Sequence, residues 1–129
     1  MNRVEIDPVW LMHVQKPARY VGGEWNSVMK NHADVDVKVA LAFPDVYEVG
    51  MSHLGLKIIY SVINSRKDAL AERVYTPWVD MEKMMRERNI PLYALESKAP
   101  IKDFDVFGLT MPYEMCYTNV LQTLDLSQI

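Results

Sequence analysis

The chain predicts an α/β fold with a mainly parallel sheet, on three observations. From Asp36 onward, apolar runs alternate between strand-like and helix-like spacing. The strand-like runs are apolar on both faces, as in parallel strands covered on two sides. The first pair of runs is joined by Phe43-Pro44-Asp45-Val46-Tyr47-Glu48-Val49-Gly50-Met51-Ser52-His53-Leu54-Gly55. That loop lies where an α/β domain passes from the carboxyl end of a strand to the amino end of a helix, the usual place for a ligand. Such alternation implies parallel strands joined by right-handed crossovers.

Residues 1–35 read as an irregular amino-terminal arm. Asp7-Pro8 marks a short helix with proline at its first position, and Val9, Leu11, Met12 and Val14 give it an apolar patch. Lys16-Pro17-Ala18-Arg19-Tyr20-Val21-Gly22-Gly23-Glu24-Trp25-Asn26 holds a proline and a glycine pair, which predict an ordered loop or extended arm. Its Arg19 and Trp25 suit docking onto another domain, or the capping of a sheet edge.

Residues 36–129 supply the sheet. Val37, Val39, Leu41 and Phe43 alternate while Ala40 and Ala42 fill the other face, giving a strand buried on both sides. Leu54, Ile58, Ile59, Val62 and Ile63 recur at helical spacing, and Asn64-Ser65-Arg66 ends that helix. Residues 72–76 form a second strand, stopped by Pro77. Asp80 caps a helix whose Met81, Met84 and Met85 share a face, with Arg86 and Arg88 in its last turn and Asn89 as the stop. Residues 90–95 are a third strand candidate, and Pro91 places it at an edge or a strand start. Residues 96–102 form a loop, 104–111 a buried strand, and 114–126 a helix with Met115, Val120, Leu121 and Leu124 inward. No closing strand follows, and the strand count is below the usual five or so of a doubly wound sheet. The expectation is an incomplete domain, an amino-terminal piece of a longer protein.

Composition narrows the function classes. At 129 residues the chain is one domain or part of one, half apolar and 24% charged, as ordinary globular proteins are. A net charge of −3 with no basic stripe argues against nucleic acid. No apolar stretch approaches the ~20 residues of a membrane span, and no signal-peptide pattern opens the chain. The single cysteine, Cys116, excludes an internal disulfide and a Cys-based metal cluster within the chain, and suits the reducing cytoplasm. Nine methionines read as core filler.

The candidate site residues lie on two loops. Asp45 caps the next turn or orients a ligand. Gly50 and Gly55 bracket the start of the helix, where glycine permits close backbone approach and free amides favour phosphate or carboxylate. Tyr47 packs or donates a hydrogen bond, because a phenol of pKa about 10 is a costly anion at neutral pH. His53 suits a helix cap or a solvent-facing position. Thr110-Met111-Pro112-Tyr113-Glu114 ends the later strand and is expected beside the first loop, so that Tyr47, Thr110 and Tyr113 rim one crevice. Cys116 reads as a small buried hydrophobe.

The spacing Asp45-x-Tyr47-x-x-Gly50 resembles the Asp-x-His-x-x-Gly loop of cobalamin-binding domains, with Tyr47 where the cobalt-ligating histidine stands. The string from Lys16 to Asn26, that from Ala42 to Lys57, Pro77-Trp78-Val79-Asp80-Met81-Glu82, Leu95-Glu96-Ser97 and Tyr117-Thr118-Asn119-Val120-Leu121 are similar to the amino-terminal region of a B12-binding-domain-containing family of radical S-adenosylmethionine proteins. This resemblance covers nearly the whole chain. It implies a three-layer Rossmann/flavodoxin-like domain over 36–129, truncated at its carboxyl-terminal side, that precedes a radical S-adenosylmethionine barrel in the same polypeptide. In that family a Cys-x3-Cys-x2-Cys run binds a [4Fe-4S] cluster. No such run occurs here, so the cluster and S-adenosylmethionine are expected downstream. The implied role is an iron–sulfur oxidoreductase's fragment, inactive alone, that covers or positions a cofactor near the barrel. Asp45, Tyr47, Gly50, His53, Gly55, Thr110 and Tyr113 are its implied cofactor-binding positions. With tyrosine at 47, cobalamin binds without a protein nitrogen from this loop, or the domain has lost it. Two other readings stand beside this one: a phosphate- or nucleotide-binding module of flavodoxin or receiver type, and a purely structural interaction domain. The receiver version lacks a phosphoacceptor aspartate after Leu109-Thr110-Met111.

Overall fold

The computed structural model describes residues 2–129. Three strands, β1 (Val37–Phe43), β2 (Ala69–Tyr75) and β3 (Val106–Leu109), form an all-parallel open sheet in the order β2-β1-β3. The helices are α1 (Pro8–Leu11), α2 (Ala18–Val21), α3 (Tyr47–Gly50), α4 (Leu54–Asn64), α5 (Val79–Glu87) and α6 (Tyr117–Ser127). The predicted α/β class therefore holds, with β1 central and, in its second half, buried on both faces as its unbroken apolarity predicts.

The side-chain period of a strand sends alternate residues to opposite faces. Leu41, Phe43, Ala71 and Tyr75 pack with Leu56 and Tyr60 of α4 on one face. Ala40, Ala42 and Val74 pack with Met81 and Met85 of α5 and Leu126 of α6 on the other. Helix, sheet and helix thus make three layers, with Met81 and Met85 filling the interior as predicted.

Several elements differ from the sequence expectation. The second strand begins at Ala69, because parallel pairing to β1 starts at Val37 opposite Ala69. Residues 90–95 are not a strand; only Tyr93 bridges, antiparallel, to Pro100. The outer edge of β2 is occupied by side chains instead. The Asn64 amide donates to the Ala71 carbonyl and accepts from its N–H, the Glu96 carboxylate accepts from Arg73 N–H, and Lys30 Nζ donates to the Ala69 carbonyl. With Leu95 N–H on the Arg73 carbonyl, β2 offers a fourth strand no free ladder. This covers an edge that would otherwise pair with other chains.

The arm is partly helical at α2, and residues 104–111 shorten to the four of β3. Asp80 sits inside the first turn of α5, where it accepts from the Gln15 N–H, while Trp78 holds the cap position without a side-chain bond. The last helix is rolled relative to its predicted face. Met115 and Leu121 are exposed, whereas Cys116, Thr123, Leu126 and Ser127 are buried. Hydrogen bonding decides this: Thr123 Oγ1 meets Thr76 Oγ1 at 2.9 Å and donates to the Asn119 carbonyl, and Leu92 N–H donates to the Leu126 carbonyl. On α4, Leu56 and Tyr60 face the sheet, while Leu54, Ile58, Ile59 and Val62 face outward.

Candidate functional site

In an open parallel sheet, ligands bind at the carboxyl ends of strands where the chain's winding direction reverses. With β2 and β3 on either side of β1, that point lies between β1 and β3. The loops following these two strands meet there. The Tyr113 hydroxyl donates to Asp45 Oδ2 at 2.8 Å, and Thr110 N–H donates to the Ala42 carbonyl at 3.2 Å. Asp45 Oδ1 accepts from the Val46 N–H, so this carboxylate caps its own turn and also ties the two loops. Asn119 adds a third tie by donating to the Pro44 carbonyl. The two loops thus lie side by side as the sequence suggested, but it is Asp45 rather than Tyr47 that meets Tyr113.

The hydrogen bond to Asp45 raises the Tyr113 pKa. A raised phenol pKa adds stability below its unfolded value, and that contribution is lost as pH rises through the folded one. We expect Asp45→Asn to return the Tyr113 titration toward the ordinary value of about 10, read from the ring signals of selectively labelled tyrosine by NMR.

Tyr47 does not join that crevice rim. Its hydroxyl donates to the Glu24 carboxylate of the arm, and its ring stands edge-to-face on Tyr75 with centroids 5.3 Å apart. Burial, then the Glu24 hydrogen bond, pushes its pKa up to about 12. Gly50 is a packing position: a Cβ there would lie 2.7 Å from the Tyr75 ring and 2.8 Å from the Phe43 ring. The His53 Nδ1 accepts from the Leu56 N–H at 3.1 Å and caps α4, as one of its two sequence readings held. Gly55 leaves room for that imidazole, since an added Cβ would meet His53 Cε1 at 3.0 Å. The loop residues therefore shape and anchor the turn itself. Cys116 is fully buried, with its thiol on the Tyr113 carbonyl.

A charged cluster that the sequence reading missed lies beside Tyr47. Arg73 donates from Nε to Glu96 at 2.6 Å and from Nη1 to Glu24 at 2.7 Å, and its guanidinium stacks over Tyr60 at 5.4 Å. Burial works to lower the Arg73 pKa, but the charge and hydrogen bond of Glu96, then the hydrogen bond of Glu24, outweigh it and raise it. Burial pushes the Glu96 carboxyl up, and Arg73 offsets this only in part. Burial also acts to raise Glu24, but the hydrogen bonds from Tyr47 and Arg73 prevail and hold it below its ordinary value. A second network joins Glu72 to His32 at 2.7 Å and to the Ser97 hydroxyl at 2.6 Å. A third joins Glu48 to Lys16 and Arg19, whose hydrogen bonds lower the Glu48 pKa to about 2. The signal for the first two was Glu72-Arg73 inside an otherwise apolar strand, since buried charges require partners.

A family model described as radical SAM proteins, N-terminal, matches residues 55–129. No curated protein and no solved structure matches the chain. The match opens at Gly55, so the loop from Phe43 to His53 and the first residue of α4 lie before it, while the rest of α4, the whole of β2 and β3, and the Thr110–Tyr113 loop lie within it. With more than half of its 129 residues matched, the chain belongs to the radical SAM proteins, of which it carries the N-terminal region.

Proposed function

We propose that this domain is an accessory, non-catalytic domain of a radical S-adenosylmethionine protein. It docks on the barrel of the same polypeptide and covers or positions a cofactor there with the loops at the carboxyl ends of β1 and β3. The observation that carries this reading is the apolar surface left uncovered at that end of the sheet. Val49, Leu54, Met111, Tyr113, Met115 and Tyr117 are all exposed there, Met115 at 87%. Large apolar side chains exposed on the loops at one end of a sheet commonly mark an interaction site. The outward stripe of Leu54, Ile58, Ile59 and Val62 continues it along α4, which is apolar on both sides; helices of that kind are normally covered.

The chemistry of the donors supports a non-catalytic role. A [4Fe-4S] cluster is held by several cysteine thiolates, and this chain has one cysteine, buried. Among the described residues no group of three or more His, Cys, Asp or Glu could hold a metal ion. The residues here do not fit the cluster. Nor do they fit a cobalt ligated from the Asp45–Gly50 turn, because its Tyr47 phenol is engaged by Glu24; His53, beyond that turn, accepts from the Leu56 N–H at Nδ1, which in the neutral ring puts the proton on Nε2. Any corrinoid covered by the domain is, in this reading, held without an axial ligand from this loop. No helix among the described residues is long and apolar enough to cross a membrane.

The test uses the whole protein with Met111→Glu and Met115→Glu together. Both side chains are exposed, so the domain is expected to keep its thermal midpoint. Cleavage of S-adenosylmethionine, followed as 5′-deoxyadenosine, is expected to fall by about tenfold, equivalent to about 1.4 kcal/mol in the barrier. Unchanged cleavage with unchanged cofactor content would remove the case for docking through this face.

A further inference from the structure

The two edges of the sheet are finished differently. Asn64, Glu96 and Lys30 occupy the outer edge of β2, whereas no hydrogen bond among the described residues reaches the outer edge of β3. Thr110 N–H donates to the Ala42 carbonyl, in step with the pairing of Leu109 to Ala42. Backbone groups alternate in direction along a strand, so those of Val106 and Gly108 face β1. The N–H and C=O groups of Phe107 and Leu109 point outward.

This edge carries none of the usual protection. Natural edge strands are blunted by charged side chains, proline, bulges or a covering loop, and β3 reads Val106-Phe107-Gly108-Leu109. Val106 is 48% exposed, and the other three residues are only half-buried, although β1 beside them is buried from 40 to 43. Phe107 and Leu109 pack against the core on one side and are uncovered on the other.

The position of α6 decides what fills the edge. Leu126 of α6 shares one face of the sheet with Met81 and Met85 of α5, over Ala40 and Ala42. On that face α5 carries the chain from β2 past β1 to β3. A second right-handed crossover with its helix on the same face travels in the same direction, so the residues after α6 are delivered to the outer side of β3. They also start at the correct end. Leu92 N–H donates to the Leu126 carbonyl, Ile101 N–H donates to the Leu92 carbonyl, and the short turn Ile101–Asp103 leads into β3. A strand beginning beside Leu126 therefore runs parallel to β3. We propose that the segment following α6 in the same radical SAM polypeptide adds to β3 as a fourth parallel strand, bonded to Phe107 and Leu109. A second copy of the chain could bond the same groups, but α6 tethers the following residues to this edge at high effective concentration. The added strand ends beside the Thr110–Tyr113 loop, so the loop after it becomes a further wall of the carboxyl-end crevice. The inference rests on the family membership and the sheet edge, and not on the docking face that includes Met111 and Met115.

Two measurements on the whole protein test this. In the first, the photo-crosslinking residue p-benzoylphenylalanine replaces Val106, whose exposure lets the variant keep the thermal midpoint of the parent. The crosslink, mapped by mass spectrometry, is expected within about 15 residues after Ile129, the length of a short connection and one strand. The second needs no substitution. Amide hydrogen exchange is read at single residues, and the Phe107 and Leu109 amides are expected to exchange at least about a hundredfold more slowly than unstructured ones. A crosslink to the barrel or to a second copy, no crosslink at all, or exchange of both amides at the unstructured rate overturns the proposal. None of these results bears on the Met111 and Met115 test, so the two readings fail separately.

Discussion

Replacing Arg73 with methionine is expected to destabilise the domain by about 3–5 kcal/mol, the usual cost of removing one partner from a buried ion pair. That is a large part of the roughly 5–15 kcal/mol that holds a domain folded. The substitution strands Glu96, whose side chain is 1% exposed, and removes the bond that ties Glu24 of the arm to the sheet. Urea unfolding of the parent and the variant at pH 7 measures the difference. The deficit should also depend on pH in a set direction. Burial already raises the Glu96 pKa, and loss of the neighbouring guanidinium raises it further. A raised carboxyl pKa means that the folded state binds the extra proton. Its contribution is therefore fully present below the unfolded pKa and is lost as pH rises through the folded one. The gap between variant and parent should be narrower at mildly acidic pH than at pH 8. Adding Glu96→Gln should restore part of the loss, since the amide leaves no unpaired buried charge while its oxygen still accepts from the backbone N–H of residue 73. An Arg73→Met variant as stable as the parent would show that the cluster holds nothing together.

Gly22→Ala is the second large effect. Gly22 has φ +68° and ψ −150°, a region open essentially to glycine alone, where other residues cost about 1–3 kcal/mol. A Cβ there would also lie 2.4 Å from the Leu95 carbonyl oxygen, a backbone atom that cannot turn aside. The strain falls where the arm joins the segment along β2, since Lys98 Nζ donates to both the Val21 and Leu95 carbonyls. Gly23→Ala is the control: φ is +78°, but its Cβ would meet nothing within 4 Å. The expected order of urea midpoints is parent, then Gly23→Ala, then Gly22→Ala. Limited proteolysis should cut the arm of the Gly22 variant first. Equal midpoints for the two variants would mean that the close approach to Leu95 carries no cost.

Parts of this architecture were legible in the residues. The apolarity of 37–43 on both faces marked a parallel strand covered on two sides, because only such a strand tolerates it. The Met81 and Met85 pair marked the inner face of α5, and both are buried. Residues 90–95 misled because their apolarity belongs to core packing, with Leu92 and Ala94 buried against α5 and α6, while the ladder they would have joined is filled by Asn64, Glu96 and Lys30. Side chains standing in for a strand leave no periodic mark. The face of α6 misled for a related reason: Thr123 and Ser127 are buried by hydrogen bonding while Leu121 is exposed, so hydropathy pointed the wrong way.

The sequence alone determined the α/β class, a parallel strand at 37–43, the position of the loop from Phe43 to Gly55 and the expectation that the loop after β3 lies beside it. These follow from local periodicity and from parallel topology, which places consecutive carboxyl ends side by side. Only the tertiary structure decided what the site residues do. Tyr47 turned from the crevice to Glu24, twenty-three positions earlier in the chain, and Arg73 drew Glu24 and Glu96 into one cluster. Those pairings are long-range and electrostatic, set by which charges are buried together, and no spacing along a single chain encodes them.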